Sequence, residues 1–124
     1  MNVLSDLDES QQALLQGAAT DITLQRGDVL IRRGEPGGDI FLLTSGQLEV
    51  VDSRATPEVI LTVLEPGAVV GEMAFVDSSP RSADVRACTD ATVRRWGQRD
   101  LHKLLRAHPA IGSRFFEGVA RLAS

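Results

Sequence analysis

A chain of 124 residues suits one compact domain, and at that size about two-thirds of the unfolded surface can be buried, so neither a disulfide nor a structural metal is required. A hydrophobic content of 43% excludes global disorder, and a net charge of −4 argues against a surface built as a whole to hold DNA or RNA. The single cysteine, Cys88, excludes an internal disulfide or a cysteine-held metal cluster, and no apolar run reaches the ~18 residues of a membrane span.

At the N-terminus no basic segment precedes an apolar run, so no signal peptide is expected, and the chain is read as soluble and cytoplasmic. A longer parent could still be a membrane protein. Asp8-Glu9-Ser10-Gln11 reads as a helix start, with Asp8 capping and Gln11 reaching back. Leu14, Leu15 and Ala18 then share one side of a short amphipathic helix over residues 8–18, with Leu7 at its entry.

Short strand-like runs follow at 21–24, 29–31, 40–44, 47–52 and 59–64, the last being the most strand-like in the chain. Gly27-Asp28, Gly34-Glu35-Pro36-Gly37-Gly38, Ser45-Gly46, 53–57 and Glu65-Pro66-Gly67 break them. Two more runs, 82–87 and 91–96, flank a turn at Thr89-Asp90. Strands and turns spaced by roughly ten residues predict a mainly β fold. An eight-stranded antiparallel jelly-roll barrel over 21–96, with an N-terminal helix and C-terminal helices, is the most economical architecture. Cys88, at the end of a strand, reads as a buried small residue rather than a reactive thiol.

The pattern turns helical over 99–123. Asp100 is placed to cap a helix through Leu101, Leu104 and Leu105, His108-Pro109 interrupts it, and Pro109 can open a second one. Ile111, Phe115, Val119 and Leu122 recur at helical spacing, which suits a core-facing stripe, a lid or a dimer seam.

Residues 70–85 stand apart. Gly71 permits backbone conformations and close approaches that a Cβ forbids. Glu72-Met73-Ala74-Phe75 can form one helical turn whose first N–H groups lack intrahelical partners, a seat for an anion. Asp77-Ser78-Ser79-Pro80 is a turn, and Arg81 after it offers a planar fork of donors suited to phosphate oxygens. Ser82 adds a hydroxyl. The plainest alternative is that Glu72 and Arg81 pair with each other on a turn.

Gly71-Glu72 followed by Pro80-Arg81-Ser82-Ala83 resembles the phosphate-binding cassette of the cyclic-nucleotide-binding domain family, the sensor domains of catabolite activator proteins and protein kinase A regulatory subunits. The resemblance runs along essentially the whole chain. Leu7 to Gly17, Gly27-Asp28-Val29-Leu30, Gly34-Glu35-Pro36-Gly37, Ser45-Gly46, Pro66-Gly67 and the cassette fall in the family's order. It implies an N-terminal helix, an eight-stranded jelly roll interrupted by the cassette, and helices after it. It implies that Glu72 accepts the ribose 2′-hydroxyl and that Arg81 pairs with the cyclic phosphate. Ser82 and the N–H groups of Met73, Ala74 and Ala83, beside Gly71, would complete the cradle.

Serine at position 82 leans weakly towards cAMP over cGMP within the resemblance. A cyclic nucleotide is thus the implied ligand, with no metal, no catalytic residue and no nucleic acid. Occupancy would be relayed through the C-terminal helices, with a hinge near Gly97 or His108-Pro109, to a linked output domain or a second copy of the chain. Met73 and Phe75 depart from the smaller residues common there; Phe75 either narrows the pocket or packs beneath the short helix. Asp84 would weaken phosphate binding unless strand alternation turns it outward.

Two other readings are weighed. A metal-dependent jelly-roll enzyme needs clustered histidines, yet His102 and His108 both fall in the helical part. A member that keeps the fold but binds nothing would serve as an interaction or dimerisation module, although it has no need of Glu72, Arg81 and Ser82.

Overall fold

The computed structural model describes residues 7–123. In chain order these form α1 (Glu9–Gly17), β1 (Thr20–Leu24), β2 (Val29–Ile31), β3 (Ile40–Ser45), β4 (Leu48–Asp52), β5 (Val59–Leu64), β6 (Val69–Val70), α2 (Glu72–Asp77), β7 (Asp84–Ala87), β8 (Ala91–Trp96), α3 (Gln98–Ala107) and α4 (Pro109–Ala123). The eight strands pair antiparallel in two four-stranded sheets, ordered β1-β8-β3-β6 and β2-β7-β4-β5. The mainly β jelly-roll fold with helices at both ends is as the sequence implies. The barrel is refined to two sheets, which no strand pairing joins into a closed barrel among the described residues.

Strand β3 shows how the fold is built. Successive strand side chains point to opposite faces. Phe41 and Leu43 enter the core between the sheets, with Leu48, Val85, Ala87 and Val93. Ile40 and Leu42 point the other way, into a second core with Leu15, Phe75, Trp96, Leu101, Leu105, Ile111 and Phe115. A strand covered on both faces reads as an unbroken apolar run, and Ile40-Phe41-Leu42-Leu43 is one. The second core fastens the helices to the sheet of β1, β8, β3 and β6. The Trp96 indole N–H donates to the Leu15 carbonyl at 2.8 Å, satisfying a buried donor and fixing α1.

Several local expectations are corrected. In α1 the capping box forms, with Gln11 N–H donating to Asp8 Oδ1 at 2.8 Å and Asp8 N–H to Gln11 Oε1 at 3.1 Å. Of its proposed apolar side, however, only Leu15 is buried; Leu14 is 44% exposed and Ala18 is exposed. Helix α3 begins at Gln98, with Gly97 as its N-cap and Asp100 already in its first turn. The cap comes from far away in the chain: Asp39 Oδ1 accepts from Gln98 N–H at 3.0 Å.

Strand β7 starts at Asp84 rather than Ser82, and Cys88 is only partly buried. Strand β5 forms as expected but lies at a sheet edge, with Val59, Ile60, Leu61 and Val63 each 46–58% exposed. Between β5 and α2 the two-residue strand β6 pairs with Phe41 and Leu42 and delivers the chain to residue 71.

Candidate functional site

Residues 71–83 return to one place. A cavity of about 370 Å³ is lined by Gly71, Glu72, Met73, Ala74, Arg81, Ser82 and Ala83, together with residues of β2, β4, β5, β6 and β7. Each of the seven residues singled out from the sequence therefore faces the same space.

Gly71 sits at φ +93°, the left-handed region that favours glycine. A Cβ there would lie 2.5 Å from the Asp39 carbonyl oxygen and 2.7 Å from Arg81 Nη1. The glycine is thus needed twice, for its φ and for the closeness of Arg81. The first bond of α2 runs from Phe75 N–H to the Gly71 carbonyl at 3.2 Å. The N–H groups of Glu72, Met73 and Ala74 precede it, in the turn that has no intrahelical acceptor.

Arg81 is held from both sides. Its backbone pairs with the Gly34–Glu35 turn: Arg81 N–H donates to Glu35 O at 3.1 Å, and Gly34 N–H donates to Arg81 O at 2.8 Å. Its guanidinium donates to two backbone carbonyls, Asp39 O at 2.9 Å and Gly71 O at 3.3 Å. No ion pair joins it to Glu72 among the described residues, so the simple Glu72–Arg81 pair is not what the fold builds. Burial pushes the guanidinium below its ordinary value, while Asp39, Glu35 and Glu72 act in the opposite sense from a distance. Arginine remains a cation under such a shift. The arrangement is a half-buried positive charge, held by neutral carbonyls, on the wall of a cavity.

Other candidates fall elsewhere. Phe75, 1% exposed, does not line the cavity. It packs beneath α2, stacked on His102 at 4.2 Å between ring centroids and edge-on to Phe115 at 5.6 Å. Asp84 does not line the cavity either; its Oδ1 accepts from Arg33 N–H at 2.7 Å, outside it.

Sequence reasoning missed two features. One is the cavity's aliphatic wall, Ile31, Val50, Leu64, Val69, Val70 and Val85, drawn from five strands. The other is Asp39, whose carbonyl holds Arg81 while its carboxylate caps α3 and accepts from Arg95 Nη2 at 2.7 Å. The apolar run preceded by Gly37-Gly38-Asp39 was visible; the partners, 42 to 59 residues away, were not.

The sequence profile of the cyclic nucleotide-binding domain matches residues 21–108. A cyclic nucleotide-gated potassium channel from Mesorhizobium japonicum is 37% identical over 93 residues, 75% of this chain and 24% of that protein. A cAMP-dependent protein kinase regulatory subunit from Emericella nidulans is 32% identical over 103 residues, 83% of this chain and 24% of that protein. The chain thus spans about a quarter of the length of these curated relatives. The crystal structure of the N-terminal domain of a transcriptional regulator from Streptomyces coelicolor A3(2) superposes with a TM-score of 0.85 at 31% identity, covering 98% of this chain and 85% of that one.

Proposed function

The chain belongs to the cyclic nucleotide-binding domain family, and from that premise we propose that it is a regulatory sensor module for a cyclic nucleotide monophosphate, cAMP by a small margin over cGMP. The observation that carries this reading is Arg81, a half-buried cation whose guanidinium donates to two backbone carbonyls, on a cavity wall beside the first turn of α2. A cyclic phosphate carries one negative charge. It would meet the Arg81 fork and the Met73, Ala74 and Ala83 N–H groups, with the Ser82 hydroxyl alongside, through charge-assisted hydrogen bonds. Glu72, on the same wall, is the acceptor for a ribose hydroxyl. The relatives in which the likeness is found include a regulatory subunit named for cAMP.

The reading contains no catalytic step. Occupancy would pass to α3 and α4, and two contacts support that route. Phe75 of the cassette packs on His102 of α3 and Phe115 of α4, and Asp39 joins the Arg81 guanidinium to the start of α3. A ligand shifts such an equilibrium only by its different affinity for the two arrangements. The chain itself would be cytoplasmic, and its output would be a linked domain or a partner chain. No helix among the described residues is long and apolar enough to cross a membrane.

Thermal unfolding tests the reading. A ligand at a hundred times its Kd adds about 2.7 kcal/mol to the folded state, so saturating cAMP should raise Tm by several degrees. A melting curve that neither cAMP nor cGMP moves would contradict it.

A further inference from the structure

Asp39 lies between two arginines. Its backbone carbonyl accepts from Arg81 Nη2 at 2.9 Å. Its carboxylate is engaged elsewhere: Oδ2 accepts from Arg95 Nε at 2.8 Å and from Arg95 Nη2 at 2.7 Å, and Oδ1 accepts from the Gln98 N–H at 3.0 Å. Arg95 stands on β8 opposite Phe41 and does not line the cavity. The Arg95 and Asp39 side chains are 43% and 30% exposed, and ion pairs so open to water contribute little to stability. The pair has its larger consequence at Arg81.

Resting on the function proposed above, we infer that Arg95 is a positioning residue: by holding the Asp39 carboxylate it keeps that carboxylate from neutralising Arg81, so that the Arg81 charge stays available to a cyclic phosphate. The carbonyl and the carboxylate of one residue hang from the same Cα, and a change of side-chain rotamer moves only the second. Arginine binds a carboxylate more strongly than a neutral carbonyl. Released from Arg95, the Asp39 carboxylate would be the stronger partner for Arg81 and would occupy the fork that a phosphate must take. Asp39 is already the carboxylate whose charge acts most strongly on Arg81, ahead of Glu35 and Glu72. In the structure Arg95 and the first N–H of α3 take both of its oxygens, and Arg81 donates to the carbonyls of Asp39 and Gly71 instead. A neutral carbonyl yields Arg81 to an anion; a carboxylate competes with that anion charge for charge.

The test is calorimetric titration of cAMP and cGMP into the full chain, into Arg95→Met, which keeps the length of the side chain without its charge, and into Arg95→Met combined with Asp39→Asn. Melting curves check that each variant is folded. The expected result is that Arg95→Met binds about tenfold or more weakly, because a charge-assisted hydrogen bond must now be displaced. The double variant should recover the loss, since an asparagine amide still accepts from the Gln98 N–H but carries no charge. Arg95→Gln, also neutral, is the second variant and should act in the same direction. A folded Arg95 variant that binds as tightly as the parent, or a loss that Asp39→Asn does not recover, would overturn the inference and leave the cyclic-nucleotide reading standing. A parent chain that binds neither nucleotide would overturn both.

Discussion

At Gly71 the backbone does two things at once: it turns at φ +93° and it lets Arg81 Nη1 approach to where a Cβ would sit 2.7 Å away. Alanine there would meet both a strained φ and the Asp39 carbonyl at 2.5 Å. Gly71→Ala should therefore lose about 1–3 kcal/mol of stability in a thermal or denaturant melt, and it should lose nucleotide affinity as Arg81 is displaced. A variant with the parent's melt and affinity would show that Arg81 does not depend on this close approach. The same scale explains why Arg81 should not be replaceable by lysine without loss. Two carbonyls on different loops are met by the two arms of one planar fork, which an ammonium on a flexible stem does not reproduce.

Two helices carry predictions of their own. At the start of α1 the Gln11 N–H holds the Asp8 carboxyl below its ordinary 3.8. A carboxyl with a lowered folded-state value contributes stability that is present above the unfolded value and lost as pH falls through the folded one. Asp8→Ala should thus lower Tm at pH 7 and lower it progressively less once the pH is brought below 3.8; an equal loss at both extremes would contradict the cap. At the end of α2, Ser78 sits at φ 57°, where a side chain costs about 1–2 kcal/mol and glycine is the usual occupant. Ser78→Gly should stabilise the fold by up to about 1 kcal/mol, read as a rise in denaturation midpoint; a fall would show that the serine side chain supplies more than the strain removes. These signals are local, and local chemistry is what a sequence displays. The Asp8–Gln11 box and the glycine before α2 were legible for that reason. What was not legible depends on register and on distant pairing. The Asp39 cap on α3 joins residues 59 apart, so Asp100 looked like the better cap. Which faces of β2, β4, β5, β6 and β7 wall the cavity follows from how the two sheets are laid together. The exposure of β5, the most strand-like run by sequence, follows from its place at a sheet edge.

Across the whole molecule, β3 is the shared wall of two cores, one between the sheets and one beneath the helices. The cassette touches both. Val70 enters the inter-sheet core just before Gly71, and Phe75 enters the helical core just after it. Residues 71–74 lie between these two anchors and line the cavity, and in the proposed relay a ligand there would move α2 against α3 and α4 through Phe75 and His102. All of this rests on Arg81 being the charge that a cyclic phosphate meets. The most direct measurement is calorimetric titration of cAMP into the chain and into Arg81→Ala, with the fold of the variant checked by its far-ultraviolet dichroism. The expected result is saturable one-to-one binding to the parent chain and at least about a hundredfold weaker binding to a folded variant, the loss expected for charge-assisted hydrogen bonds totalling about 3 kcal/mol. Equal affinity in the two would contradict it and place any nucleotide elsewhere on the molecule.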